Sequence, residues 1–119
     1  MATLAAIYTR VLGDTAGSEE NRSTIQVMKC REFCRQNAYT VDPDFIFEER
    51  IPSVGTDGNR PVYDRMMKLA LENPPPFKAI VVLELIRFMR DRDIREQTKD
   101  RLLVNGIKLV SIKDGSRAF

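Results

Sequence analysis

Histidine is absent from this 119-residue chain, and only two cysteines occur, Cys30 and Cys34. Without imidazole there is no Ser-His-Asp triad, no histidine general base and no histidine metal ligand. Two cysteines exclude a four-thiolate zinc site. Four residues apart on a helix is a poor disulfide geometry. Both read as buried structural thiols, the usual place of a free cysteine. Neither a metal ion nor another cofactor is predicted.

Long apolar runs are missing too. The longest, Ala79-Ile80-Val81-Val82-Leu83, ends at Glu84. A membrane span needs about 20 such residues, so no membrane association is predicted. The start, Met1-Ala2-Thr3-Leu4-Ala5-Ala6-Ile7, has no basic segment and no extended apolar core, which argues against a secretory signal. A cytoplasmic protein is expected. Charge of one sign is also scarce. With 19 Lys plus Arg against 17 Asp plus Glu, the net charge is +2. That permits a nucleic-acid partner without requiring one.

What is present is ordinary globular composition, 43% hydrophobic with six Gly and six Pro, in a length that suits one domain. Ala5 to Val11 reads as a first strand, closed by the turn-rich Gly13 to Ser18. Val27, Cys30, Phe33, Cys34 and Ala38 recur at helical spacing, which predicts an amphipathic helix over 21–37. Val41 to Glu48 reads as a second strand and 50–59, with Pro52, Gly55 and Gly58, as a loop. Arg60-Pro61 opens a second helix, since proline suits a first turn, and Pro74-Pro75-Pro76 stops it. Lys78 to Leu85 is the nearly continuous apolar run of a strand covered on both faces. A charged segment, 87–93, follows, then a helix over 92–103 and a last strand from Ile107 to Ile112. Strands alternating with helices predict an α/β fold, a single domain with a central mostly parallel sheet flanked by helices.

Four arginines fall where such a sheet places functional groups. Arg10 ends the first strand, Arg60 precedes the second helix, and Arg87 and Arg90 follow the buried strand. Ligands of open α/β sheets bind at the carboxyl ends of the strands. Guanidinium groups gathered there suit phosphate, because each offers a fixed fork of donors and keeps its charge. Arg87 and Arg90, three apart, share a face if their segment is one helical turn. Spacing alone leaves the alternative of four solvated surface charges.

The ordered set of segments resembles a known family. Tyr8-Thr9-Arg10-Val11, Gln26, Cys30 to Tyr39, Asn59 to Met66, Phe77 to Val82, Leu85-x-Arg87-Phe88-x-Arg90-Asp91 and Asn105 to Ser111 are similar, in order, to the catalytic domain of serine recombinases of the resolvase/invertase type. The large serine recombinases, or integrases, of phages and transposons are the most similar group. The resemblance implies a resolvase-like domain over 1–119, with DNA-reading and coiled-coil parts beyond residue 119. It also implies double-stranded DNA as partner and a homo-oligomer, dimer or tetramer, in the full-length protein.

In that family a serine attacks a DNA phosphodiester while arginines bind the phosphate and stabilise the charge that grows on it. The resemblance gives Arg10, Arg60, Arg87 and Arg90 that catalytic role, with Gln26 and Asp91 as supporting residues. It departs at two positions. Leu12 stands where the family has its nucleophilic serine, and leucine has no oxygen to attack with. Ile86 stands where the family has an acidic residue. Cleavage is therefore expected to be lost unless a nearby hydroxyl has taken over: Ser18, Thr15 or Ser23, each of which also reads as a turn or capping residue. A small-molecule phosphate enzyme on the same sheet is a further alternative. It would need a closed pocket.

Overall fold

The structure, a computed structural model, describes residues 3–12, 23–51, 60–114 and 117–118. Its elements are β1 (Thr3–Leu12), α1 (Ser23–Gln36), β2 (Tyr39–Ile51), α2 (Pro61–Ala70), β3 (Ala79–Val82), α3 (Leu85–Phe88), α4 (Arg92–Val104), β4 (Lys108–Ser111) and β5 (Arg117–Ala118). The strands form one sheet in the order β2-β1-β3-β4-β5. The first four are parallel and β5 is antiparallel to β4.

Alternation along β1 decides how the sheet is covered, because successive side chains point to opposite faces. Ala5 and Ile7 pack with Cys30 and Cys34 of α1 and with Ala79, Val81 and Val110. Ala6 and Tyr8 pack on the other face with Met66, Met67 and Ala70 of α2, Leu102 of α4, and Ile80, Val82 and Leu109. All four residues of β3 are buried, as the unbroken apolar run predicts. The sheet thus has helices on both faces, which is the expected α/β architecture.

The predicted strands and helices are found, with three differences; β2 also runs through Arg50 and Ile51, where the sequence places the start of the 50–59 loop, and the rest of that loop and the Gly13 to Ser18 turn lie outside the described residues. β3 stops at Val82, and Leu85–Phe88 is a single helical turn rather than the end of the strand. β2 starts at Tyr39 and includes Pro43; its register against β1 shifts between Ala5 and Ile7. Proline fits there because β2 is an edge strand. Ile107 to Ile112 is not the last strand, since β5 follows it.

Burial has a measurable consequence for the two thiols. Cys30 is pushed up to about 12 by loss of solvation, with Cys34 adding to the effect. Cys34 is pushed up to about 11 by burial, against the opposing pull of Arg31. A thiol raised in the folded state favours folding while it keeps its proton. That contribution is complete below the unfolded value of about 8.5 and is lost as pH rises toward 11 and 12. The native protein is expected to resist iodoacetamide at pH 8 and to take up two labels in urea. Urea stability should fall between pH 9 and 11. Rapid labelling of the native protein would show that these thiols are not packed as described.

Candidate functional site at the carboxyl edge of the sheet

The chain leaves β1 toward β2 on one side and then crosses back to β3 on the other. The carboxyl ends of β1 and β3 therefore border a topological switch point, where the helices from the two directions part and leave a crevice. Arg10 lies on β1, two positions before its end. Arg60 immediately precedes α2, and Arg87 lies in the turn after β3.

These three meet. Arg10 is 9% exposed, and its Nη2 donates to the Ile86 carbonyl at 2.6 Å. Arg87 Nη1 returns the contact by donating to the Arg10 carbonyl at 3.3 Å. Glu84 Oε1 lies 3.4 Å from Arg87 Nε. Arg60, 2% exposed, donates through Nη2 to the Arg87 carbonyl at 3.4 Å and to the Phe88 carbonyl. Its guanidinium carbon sits 4.1 Å from the centre of the Tyr63 ring and 5.3 Å from that of Tyr8. Arg10 and Arg60 are thus drawn onto the 85–88 turn by its carbonyl oxygens, and Arg87 ties that turn back to β1.

Arg90 is placed differently. It is exposed and makes no hydrogen bond or ion pair with another described residue. Helix α3 ends at Phe88, and Met89 is extended at φ −157°, ψ 125°. Arg87 and Arg90 therefore do not lie on one helical turn, and the shared face that spacing allowed is absent. Asp91 is the N-cap of α4, its side chain accepting from the Ile94 N–H at 3.0 Å. Gln26 is fully buried and clamps the Arg10 backbone from both sides, accepting from its N–H at 3.3 Å and donating to its carbonyl at 3.2 Å. That clamp fixes where the Arg10 side chain leaves the strand.

Leu12 is the final residue of β1, in register with Ile51. Ile86 is 47% exposed beside the carbonyl that Arg10 holds. Of the candidate hydroxyls, Thr15 and Ser18 lie outside the described residues. Ser23 opens α1, where its Oγ donates to Glu48 and lies 2.9 Å from Thr9 Oγ1. Thr9 is adjacent to Arg10 and so points to the opposite face of β1. Ser23 is committed to that side.

One important residue of this network escaped the sequence reading. Glu49 is 2% exposed. It accepts from the Val62 and Tyr63 N–H groups at 3.1 and 2.8 Å and from the Tyr8 hydroxyl at 3.0 Å. A carboxylate there satisfies free donors at the start of α2 and complements its dipole. The Tyr8 hydroxyl in turn accepts from Arg60 Nη2 at 2.7 Å and Nε at 3.3 Å. Burial raises the Tyr8 phenol well above its ordinary value, with the Arg60 cation opposing, so it stays a neutral link between carboxylate and guanidinium. Glu49 follows Phe45 and Phe47 at every second residue. That alternation places it on their face and was the available signal.

Among the described residues, no group of three or more carboxylates and thiols is placed to hold a metal ion, and no helix is long and apolar enough to cross a membrane.

Comparisons with known proteins bear on the family and the fold. The family model described as Resolvase, N terminal domain, matches residues 5–118. The chain is similar to the crystal structure of the N-terminal catalytic domain of TP901-1 integrase, at 23% identity and a TM-score of 0.74, covering 97% of this chain and 80% of that one. It is similar to a resolvase family site-specific recombinase from Streptococcus pneumoniae, at 18% identity and a TM-score of 0.74, over 98% and 75% of the two chains. The C-terminal catalytic domain of ISC1926 TnpA, an IS607-like serine recombinase, is alike at 18% identity and a TM-score of 0.74, over 92% and 70%. No curated protein matches.

Proposed function

The chain belongs to the family of the resolvase N-terminal domain, and on that premise we propose that it is a DNA-binding domain of serine recombinase type that holds a backbone phosphate but does not cleave it. Serine recombinases act on DNA, and family membership points to site-specific recombination. The meeting of Arg10, Arg60 and Arg87 around one turn at the switch point is the observation that carries the reading. Guanidinium groups gathered around one turn are suited to charge on phosphate oxygens. In this reading Arg10 and Arg87 face the phosphate, and exposed Arg90 approaches from the rim. Arg60 supports the turn from below, and Gln26 sets the direction of Arg10.

Loss of cleavage follows from Leu12, which supplies no nucleophile, and from Ile86 at the rim. Of the hydroxyls considered, Ser23 is bound on the far side of β1, which leaves Ser18 and Thr15 as the alternative nucleophiles. The protein's role in recombination is then to occupy DNA or to assemble with an active recombinase through the same fold.

The test is to incubate the purified protein with supercoiled and linear duplex DNA. A salt-sensitive mobility shift with no covalent protein–DNA band after denaturation is the expected result. A covalent band would show that another hydroxyl attacks and would overturn the non-cleaving role. Binding of inorganic phosphate or nucleotides in preference to duplex would favour the small-molecule alternative.

A further inference from the structure

We propose that Arg95, which lies outside the phosphate crevice, is a positioning residue for it: by holding the Met89 carbonyl it locks the exit of the Leu85–Phe88 turn and so aims Arg87 and Arg90. The inference rests on the phosphate-binding reading of the crevice.

A four-residue helix can do little to hold itself together. Helix α3 has no interior turn, and the last four carbonyls of any helix lack partners within it. Such a turn is unstable alone, because nucleation costs more than one turn of bonds returns. Here four successive carbonyls are each taken by an arginine. Ile86 accepts from Arg10, Arg87 and Phe88 accept from Arg60, and Met89 accepts from Arg95 Nη1 at 3.0 Å. Arginine near a helix C-terminus is favourable both as a donor and for its charge.

The fourth contact differs from the others in its origin. Arg10 and Arg60 come from β1 and from the start of α2, whereas Arg95 comes from the first turn of α4. Its backbone N–H donates to Asp91 at 2.9 Å in ordinary helical fashion. Its side chain reaches back across residues 89–91 to the point where the chain becomes extended. Arg90 lies inside that short link and Arg87 just before it. Arg95 therefore staples the segment that carries both phosphate-directed arginines to a stable 13-residue helix. Its Nε is buried without a partner among the described residues. A solvated surface arginine would not leave a donor unsatisfied, since that carries a real penalty. The bond to Met89 holds the guanidinium in place against it.

Arg95→Met keeps the apolar stem and removes the donor, and Arg95→Lys restores a donor of similar reach. The amides of Arg87 and Met89, bonded to the Glu84 and Leu85 carbonyls at 3.0 and 3.1 Å, report on the turn. In Arg95→Met their hydrogen exchange should quicken by about tenfold or more, with β3 amides unchanged and Arg95→Lys close to the parent. Duplex binding should weaken by about tenfold in Arg95→Met and recover in Arg95→Lys. In an Arg87→Ala, Arg90→Ala background the same substitution should add less than about twofold, because a residue acting through others is not additive with them.

Unchanged exchange at Arg87 and Met89 would overturn the proposal. So would a loosened turn with undiminished DNA binding, or a loss from Arg95→Met that multiplies with that of the Arg87→Ala, Arg90→Ala double variant. If the parent protein binds no duplex, the phosphate reading itself fails, while the exchange measurement still decides whether Arg95 locks the turn.

Discussion

Arg60→Ala is expected to destabilise the domain by about 3–5 kcal/mol, a large share of the 5–15 kcal/mol typical of a domain. The substitution removes charged hydrogen bonds to the Tyr8 hydroxyl and the Phe88 carbonyl, each worth roughly 1.5–3 kcal/mol when the donor is ionised. It also empties the space against the Tyr63 ring. Two effects then compound. The turn at 85–88 loses its lower support, and Tyr8 is left joined to Glu49 alone. A urea midpoint lowered by roughly 2 M, or no cooperative transition at all, is the expected reading. Arg60→Lys should fall between, since it keeps the charge but not the planar fork. A loss below about 1 kcal/mol for the alanine variant would mean that the guanidinium is solvated, contrary to its 2% exposure.

The second large effect concerns chemistry. Leu12→Ser combined with Ile86→Asp should convert a protein that yields no covalent complex into one that does. The attack requires an oxygen at the end of β1. In the proposed reading Arg10 and Arg87 supply the rest of the machinery, cations that stabilise charge on the phosphate. Adding Arg87→Ala to the restored protein should lower the rate of covalent complex formation by on the order of 10²–10³, the usual cost of one donor in such a pocket. The readout is a denaturing gel of end-labelled duplex after incubation. If the restored protein binds DNA but forms no complex, more than these two positions separate it from cleaving relatives.

Much of this was legible in the sequence, for physical reasons that differ between elements. Period-3.6 spacing in α1 and the unbroken apolar run of β3 each reflect a buried face, so both elements were readable. Arg10, Arg60 and Arg87 could be placed near one another because parallel strands put their carboxyl ends on one edge. Arg90 could not, because its position depends on Met89 leaving the helical region, a tertiary effect. The Glu49–Tyr8–Arg60 chain spans separations of 41 and 52 residues, beyond the reach of any local pattern. Strand β5 is two residues long and exists only because β4 offers it an edge.

The central claim is that the fold gathers distant guanidinium groups into one phosphate-holding crevice. The most direct measurement is duplex affinity as a function of salt for the parent protein, Arg10→Ala and Arg87→Ala, each first shown to be folded. Phosphate contacts release counterions, so log K falls linearly with log salt at about 0.9 per phosphate neutralised. Each substitution should weaken binding and flatten that slope by about 1. Affinity and slope identical to the parent in both variants would contradict the account.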